Sequence, residues 1–355
     1  MMIKSSKFSI DNRCISPNHR PYCIAEVGIN HNGSEETACK LIDVAKNCGA
    51  DAVKFQTFKA KEFCGDSSQL FTYKSQGVSV TEPMLTMFER YEFTEEVWTR
   101  LKAYADKRGI TFLSTPQNES DMYILERLGV PAIKVGSDDL TNTELIRSYA
   151  TRNLPLILSC GMSDVAEIHN ALMAAGWFEG NMVALLLCTS EYPTPPEHAN
   201  VSKLRTIQGA FPGLLVGFSD HTQDSVAATV AVGLGARIFE KHFTLSHDLP
   251  GPDHWFSETP ITLTSWISSI HSAFETLGSD LLLPTTEEAT MRLIARRSIV
   301  AVDVVNPGDV LTPSNIGLRR PGTGLPPSML QYVMGLRSTR RMVPGDLVTI
   351  GDLAR

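Results

Sequence analysis

Long apolar runs are missing from this chain. In 355 residues none approaches the roughly 20 consecutive apolar positions that a membrane helix needs, so no spanning helix is expected. The first residues, Met1 to Lys7, carry no apolar core of the kind an export signal requires, and a cytoplasmic protein is expected. Cysteine is scarce and badly arranged for cross-linking: seven residues, an odd number, with no Cys-x-x-Cys pair. They read as reduced, mostly buried thiols. No glycine-rich dinucleotide fingerprint and no P-loop is present, which argues against the commonest nucleotide-binding folds. Lysine is absent from residues 291–355. Their nine Arg against four Asp give +5, which leaves −12 on residues 1–290 if the whole chain is to sum to −7. An Arg-rich tail raises the thought of nucleic acid, but these arginines are dispersed and one Tyr is the only aromatic residue among them. Docking onto an acidic surface of its own barrel, or that of a second subunit, suits the charges better.

What is present is a repeated alternation of strand and helix signals. Apolar strand-like runs fall at 22–28, 52–56, 111–115, 132–136, 155–160, 183–188, 215–220 and 237–243. Eight strands with intervening helices over about 280 residues predict a closed parallel (β/α)8 barrel. An open doubly wound sheet is the alternative. The first helix is well marked: Ser34 as N-cap, Ala38, Leu41, Ile42 and Ala45 on one face, and Gly49 at the end. Residues 57–93 and 244–260 form long connections on the catalytic face, where long loops are usually functional or mobile. The pattern breaks near 280, so we expect a barrel over 1–280, a linker over 281–291 and a small β-rich domain over 292–355. That last part repeats Pro307-Gly-Asp-Val-Leu311 as Pro344-Gly-Asp-Leu-Val348, and Pro-Gly at the centre specifies a type II turn.

The strand ends turn abruptly polar. Two neighbouring strands finish in Ser219-Asp-His221 and Glu240-Lys-His242. Imidazoles on adjacent strand ends are placed to share one divalent metal; the bland alternative is that each hydrogen-bonds a neighbour. Around the same rim stand Glu26, Lys54, Gln56, Thr115, Lys134, Ser137, Ser159, Ser190 and Tyr192. Burying two lysines without counter-charge is costly. An anion with several oxygens, such as phosphate, would satisfy lysines and hydroxyls together. The competing possibility is that each lysine pairs with a carboxylate, Glu26 and Asp138 being candidates. Metal beside a phosphate pocket points to carbon–carbon bond formation on a phosphorylated enol or sugar, with the metal polarising an aldehyde oxygen. A metal-dependent hydrolase or epimerase would need no phosphate pocket. A binding protein would leave the polar rim unexplained.

These residues carry a resemblance. Ile24-Ala-Glu-Val-Gly-Ile-Asn-His-Asn-Gly33, Val53-Lys-Phe-Gln56, Lys134-Val-Gly-Ser137, Cys188-Thr-Ser-Glu-Tyr-Pro193, Gly217-Phe-Ser-Asp-His221 and Glu240-Lys-His242 resemble the N-acetylneuraminate (sialic acid) synthase family. The tail, with Arg319-Arg-Pro-Gly-Thr-Gly324, is similar to that family's C-terminal antifreeze-like (SAF, β-clip) domain. The resemblance implies condensation of phosphoenolpyruvate with an open-chain N-acetylmannosamine-type sugar and release of phosphate. It implies Mn2+ or Mg2+ on His221 and His242, and phosphoenolpyruvate contacts from Lys54, Gln56, Thr115, Lys134, Ser137, Ser159 and Ser219. It places Glu26 near the reacting carbons, and Tyr192, Asp253 and Arg320 near the sugar, with Arg320 reaching in from the partner of a domain-swapped homodimer. Ser190 stands where bacterial sialic acid synthases tend to have Asn, and Asp139 where they tend to have Glu. The Thr189-Ser-Glu-Tyr192 stretch resembles relatives acting on 2,4-diacetamido-6-deoxy sugars in legionaminic acid synthesis, and Asp139, a methylene shorter than Glu, would leave room for a larger substituent.

Overall fold

A computed structural model describes residues 8–355, which divide into two compact units, 8–278 and Ser279–Arg355. In the first, eight parallel strands form one sheet. They are β1 (Tyr22–Gly28), β2 (Ala52–Thr57), β3 (Thr111–Pro116), β4 (Ile133–Val135), β5 (Leu156–Ser159), β6 (Val183–Cys188), β7 (Leu215–Asp220) and β8 (Ile238–His242). Their ladder order is β3-β2-β1-β8-β7-β6-β5-β4, and β3 and β4 lie side by side at the seam. The sheet is therefore a nearly closed barrel. The expected strands all form, with ends that move by one or two residues, and the open-sheet alternative is set aside.

Each strand feeds a helix on the outside, from Glu35–Asn47 after β1 to Pro260–Leu277 after β8. In the first, Ser34 caps the N-terminus by accepting from the Thr37 N–H, and Ala38, Leu41, Ile42 and Ala45 are buried as their spacing predicts. Period-2 alternation of the strands divides the interior from the exterior. Outward residues such as Val53, Phe55, Leu158, Leu185 and Phe218 pack against the helices. Inward residues Tyr22, Ile24, Ala52, Leu113, Ala132, Ile157, Leu186 and Ile238 form a second, internal core. That core is closed at the N-terminal face by a hairpin, Phe8–Ile10 with Arg13–Ile15, which contributes Phe8, Ile10 and Ile15. Gly217 leaves room here: a Cβ would come within 2.3 Å of the Ile238 carbonyl oxygen and 2.4 Å of Leu186.

The long connection after β2 is structured. It contains an antiparallel hairpin, Leu70–Ser75 with Val78–Pro83, between two short helices. The connection after β8 has no helix or ladder of its own but is fastened by side chains. His254 Nδ1 sits 2.6 Å from Thr244 Oγ1, and Asn30 Nδ2 donates to the Phe243 carbonyl at 2.9 Å and to Ser257 Oγ at 3.0 Å.

In the second unit, the helix Thr286–Ala295 begins inside the stretch expected to be a linker, with Thr285 and Glu288 forming a capping box. The remainder is built from short strands around Ile299, Ala301, Val305, Leu311, Ile316, Val333, Met342 and Val348. The repeated Pro-Gly turns close identically: Asp309 N donates to the Asn306 carbonyl and Asp346 N to the Val343 carbonyl, both at 3.0 Å. Gly308 and Gly345 adopt φ of 89° and 101°, where a side chain would be strained. No described helix is long and apolar enough to cross a membrane.

Candidate active site

Above the internal apolar core, one pleat further along each strand, the inward residues become polar. Glu26, Lys54, Thr115, Lys134, Ser159, Ser219 and Glu240 line a cavity of about 320 Å3 at the carboxyl ends of the strands, joined by Gln56, Ser137, Ser190, Tyr192, His221 and His242. Every rim residue anticipated from the strand ends is thus brought to one cavity. Asp253 lines an adjoining cavity of about 570 Å3, which shares Gln56, Tyr192 and His242 with the first. Asp139 lines neither; its carboxylate accepts from Asn142 Nδ2 at 3.2 Å, and its neighbour Asp138 lines both. Arg320 is an exposed residue of the C-terminal unit.

The charges at the base of the cavity are almost wholly buried. Lys54 Nζ lies 2.8 Å from Glu26 and 3.7 Å from Glu240, and donates to Thr115 Oγ1 at 3.1 Å. Lys134 donates to Ser159 Oγ at 2.7 Å and to the Val135 carbonyl at 3.0 Å, while its nearest carboxylate, Glu240, is 3.9 Å away. Pairing with carboxylate is therefore realised for Lys54, through Glu26 as foreseen, and only loosely for Lys134, through Glu240 rather than Asp138. Burial pushes the Glu26 carboxyl up to about 7, against the opposing pull of Lys54. Burial would raise Glu240 as well, but Lys134 and Lys54 outweigh it and hold this carboxylate at about 2. Burial also pulls Lys134 below the usual lysine range. Lys134 is left with no carboxylate nearer than 3.9 Å and with the Ser159 hydroxyl as its close side-chain partner. The cavity base favours an anion. Gly161 keeps its mouth open, since a Cβ there would come within 2.4 Å of Ser190 Oγ and 2.8 Å of Ser137 Oγ.

The histidines stand on the same rim with ring centroids 5.7 Å apart, and Tyr192 packs on His221 at 4.0 Å. His221 Nδ1 lies 2.7 Å from the Thr189 carbonyl, which fixes that nitrogen as the donor and leaves Nε2 with its lone pair near Ser219 Oγ, at 3.5 Å. His242 Nδ1 is buried without a hydrogen-bond partner. Burial, with His221 and Lys54 nearby, holds His242 well below the ordinary imidazole range, in the neutral form a metal requires. The partnerless His242 Nδ1, the His221 ring and the Glu240 carboxylate are donor types that a divalent cation takes. Among the described residues, the grouping whose three donor atoms all lie within 4.8 Å of one another is a different one, Cys23, Asp51 and His271, on the outer face of β1. There Arg13 pairs with Asp51, and Arg20 touches His271 at 2.5 Å, so guanidinium groups already supply the positive charge.

Strand-end reasoning named Glu240 and Asp138 but did not assign Glu240 as the charge shared by both lysines or Asp138 as a lining residue of both cavities, and it passed over the aromatic wall of the adjoining cavity. Glu240 was legible from its inward phase with His242. Nothing in the sequence around Phe71 or Trp255 gives their position.

A parallel barrel with a buried lysine pair, hydroxyls and a histidine rim at its carboxyl end has the layout of a barrel enzyme's active site. Comparison with known proteins narrows the class. The NeuB family matches residues 41–281 and the SAF domain residues 296–354. The chain is 36% identical to the N,N'-diacetyllegionaminic acid synthase of Legionella pneumophila, over 91% of this chain and 92% of that one. It is 32% identical to the human N-acetylneuraminate-9-phosphate synthase, covering 84% and 83% of the two chains. Among solved structures, the N-acetylneuraminic acid synthetase of Leptospira borgpetersenii superposes with a TM-score of 0.72 at 29% identity, covering 80% of this chain and 94% of that one. The chain belongs to the NeuB family, and it is an enzyme.

Proposed function

We propose that this enzyme condenses phosphoenolpyruvate with an open-chain acetamido sugar to give a nonulosonic acid and inorganic phosphate. The observation that carries this reading is the buried pair Lys54 and Lys134 at the base of the cavity, each bonded to a hydroxyl and the second with no carboxylate nearer than 3.9 Å. A phosphate or carboxylate of the enol donor completes their coordination, with Ser137, Ser159, Ser219, Thr115 and Gln56 supplying donors around it. Mn2+ or Mg2+ held by His221 and His242 would supply a Lewis acid for the sugar aldehyde. Glu26 bonds Gln56 at 3.2 Å and Lys54 at 2.8 Å, which aims its carboxylate at the space over the donor. There it positions the water that adds to the phosphate-bearing carbon, or stabilises the cation that precedes it. Tyr192 and Asp253 flank the acceptor.

The preferred acceptor in this proposal is a 2,4-diacetamido-2,4,6-trideoxymannose. Ser190 in the cavity lining supports it, as does the likeness to a diacetyllegionaminic acid synthase. The working unit is a homodimer of cytoplasmic chains in which the tail of one subunit brings Arg320 to the other. Met291, Leu293 and Ile294, all more than half exposed on the helix Thr286–Ala295, support such a partner. The test is phosphate release in the presence of metal, phosphoenolpyruvate and candidate sugars. Release that requires both substrates and yields a nine-carbon acid is expected, and release without sugar, or none, would defeat the proposal.

A further inference from the structure

The adjoining cavity is unlike the first in its walls. The residues it does not share with the first cavity are mostly aromatic: Phe71 and Tyr73 from the hairpin after β2, and Trp255 and Phe256 from the loop after β8. The charged groups among them are Asp253 and Lys74, whose Nζ lies 4.7 Å from the Trp255 ring centre, while Phe88 and Asp138 line both cavities. The hairpin is fixed in place at both ends of this wall. Tyr73 donates its hydroxyl to Glu82 at 2.6 Å, which also takes the Arg90 guanidinium. Ser75 Oγ accepts from the Gly251 N–H at 3.0 Å, and Gln76 Nε2 donates to the Asp248 carbonyl at 2.7 Å. An apolar wall held by polar clamps is a rigid surface that rewards apolar groups and offers little to a dianion.

We infer that Phe71 and Tyr73 of this hairpin, with Trp255, determine acceptor specificity. They select sugars whose end remote from the aldehyde carries methyl-bearing, uncharged substituents, and they reject acceptors phosphorylated there. The inference rests on the reaction proposed above, because it assigns the cavity next to His242 and Tyr192 to the acceptor. Geometry sets the direction: the donor end is fixed by Lys54 and Lys134, the two cavities meet at Gln56, Tyr192 and His242, and the acceptor's remote end must lie against the aromatic wall.

The experiment measures kcat/KM by phosphate release for three acceptors: 2,4-diacetamido-2,4,6-trideoxymannose, N-acetylmannosamine and N-acetylmannosamine 6-phosphate. The expected order is as written, with the phosphorylated sugar weakest. Phe71→Ala and Trp255→Ala should each reduce the preference for the first sugar over the second by about 10-fold or more, the scale of one methyl contact in a pocket. The KM for phosphoenolpyruvate should stay within about 3-fold, since only the acceptor's remote end has lost contact. Leu70→Ala, on an exposed hairpin residue outside both cavities, should change none of these values. Preference for the 6-phosphate, or unaltered ratios in both aromatic variants, would overturn the inference while leaving the reaction intact. Absence of phosphate release with every sugar would remove both.

Discussion

Within the barrel, Ile24, Leu113, Ile157, Leu186 and Ile238 are sealed beneath the N-terminal hairpin, and each is followed two residues later by Glu26, Thr115, Ser159, Cys188 and Glu240. The two layers share strands, phase and near-complete burial, yet their energetics are opposite. The lower layer removes apolar surface from water, which stabilises the fold. The upper layer buries Lys54, Lys134, Glu26 and Glu240, whose desolvation is repaid only in part by their contacts. A layer that gains the fold little is kept for what it binds. Substitutions should therefore separate cleanly into those that cost activity and those that cost stability.

The largest effect is expected at the histidines. His221→Ala or His242→Ala should leave the thermal midpoint nearly unchanged and lower turnover by about three orders of magnitude or more, the loss of several kcal/mol of transition-state stabilisation. Chelation should do the same and added Mn2+ or Mg2+ reverse it; undiminished turnover in a preparation shown to be free of metal would break the assignment.

Next come the lysines. Lys54→Met and Lys134→Met should each weaken phosphoenolpyruvate binding by about 2–5 kcal/mol in calorimetric titration, with sugar affinity much less affected. The two should differ in stability. Lys134→Met deletes a cation whose nearest carboxylate, Glu240, is 3.9 Å away and still has Lys54, and should cost less stability than Lys54→Met, which strands Glu26 in the interior. Equal losses of stability in chemical denaturation would show that both lysines are structural.

In the lower layer the sign reverses. Leu186→Ala should cost about 2–5 kcal/mol of folding stability through the cavity it leaves. Turnover per folded molecule should stay within about 3-fold of the parent. A large drop in turnover at full folding would mean the layers are coupled.

The smallest signal is the recovery expected when inactive Arg320→Ala subunits are mixed with inactive His242→Ala subunits. If the tail acts on the partner, one site in each hybrid dimer has an intact barrel and an intact tail. Random exchange makes about half the dimers hybrid, so about a quarter of all sites should recover. Demonstrated exchange without recovery would place Arg320 in its own chain's site or outside it.

The strands were legible because each is buried on both faces, so its apolar run stands out against the helices, whose apolar residues recur every three or four positions. The rim histidines, lysines and hydroxyls were legible for a related reason: once a strand's phase is known, the inward residues at its end follow. Asp139 marks where that logic stops. Beyond Val135 the chain leaves β4, period 2 no longer holds, and the turn sends Asp138 to the cavity and Asp139 to Asn142.

By itself the sequence determined the eight-stranded barrel, the Pro-Gly turns of the small unit and which residues share the polar rim, because backbone period and turn chemistry are local. Only the tertiary structure decided that Glu240 is shared by both lysines, that Asp138 rather than Asp139 faces the cavity, and that Phe71, Tyr73 and Trp255 form one wall. Those contacts join residues up to 186 positions apart, from Lys54 to Glu240, and no local preference specifies them. They exist because closing the barrel and clamping its hairpin bring separate strand ends into one cavity.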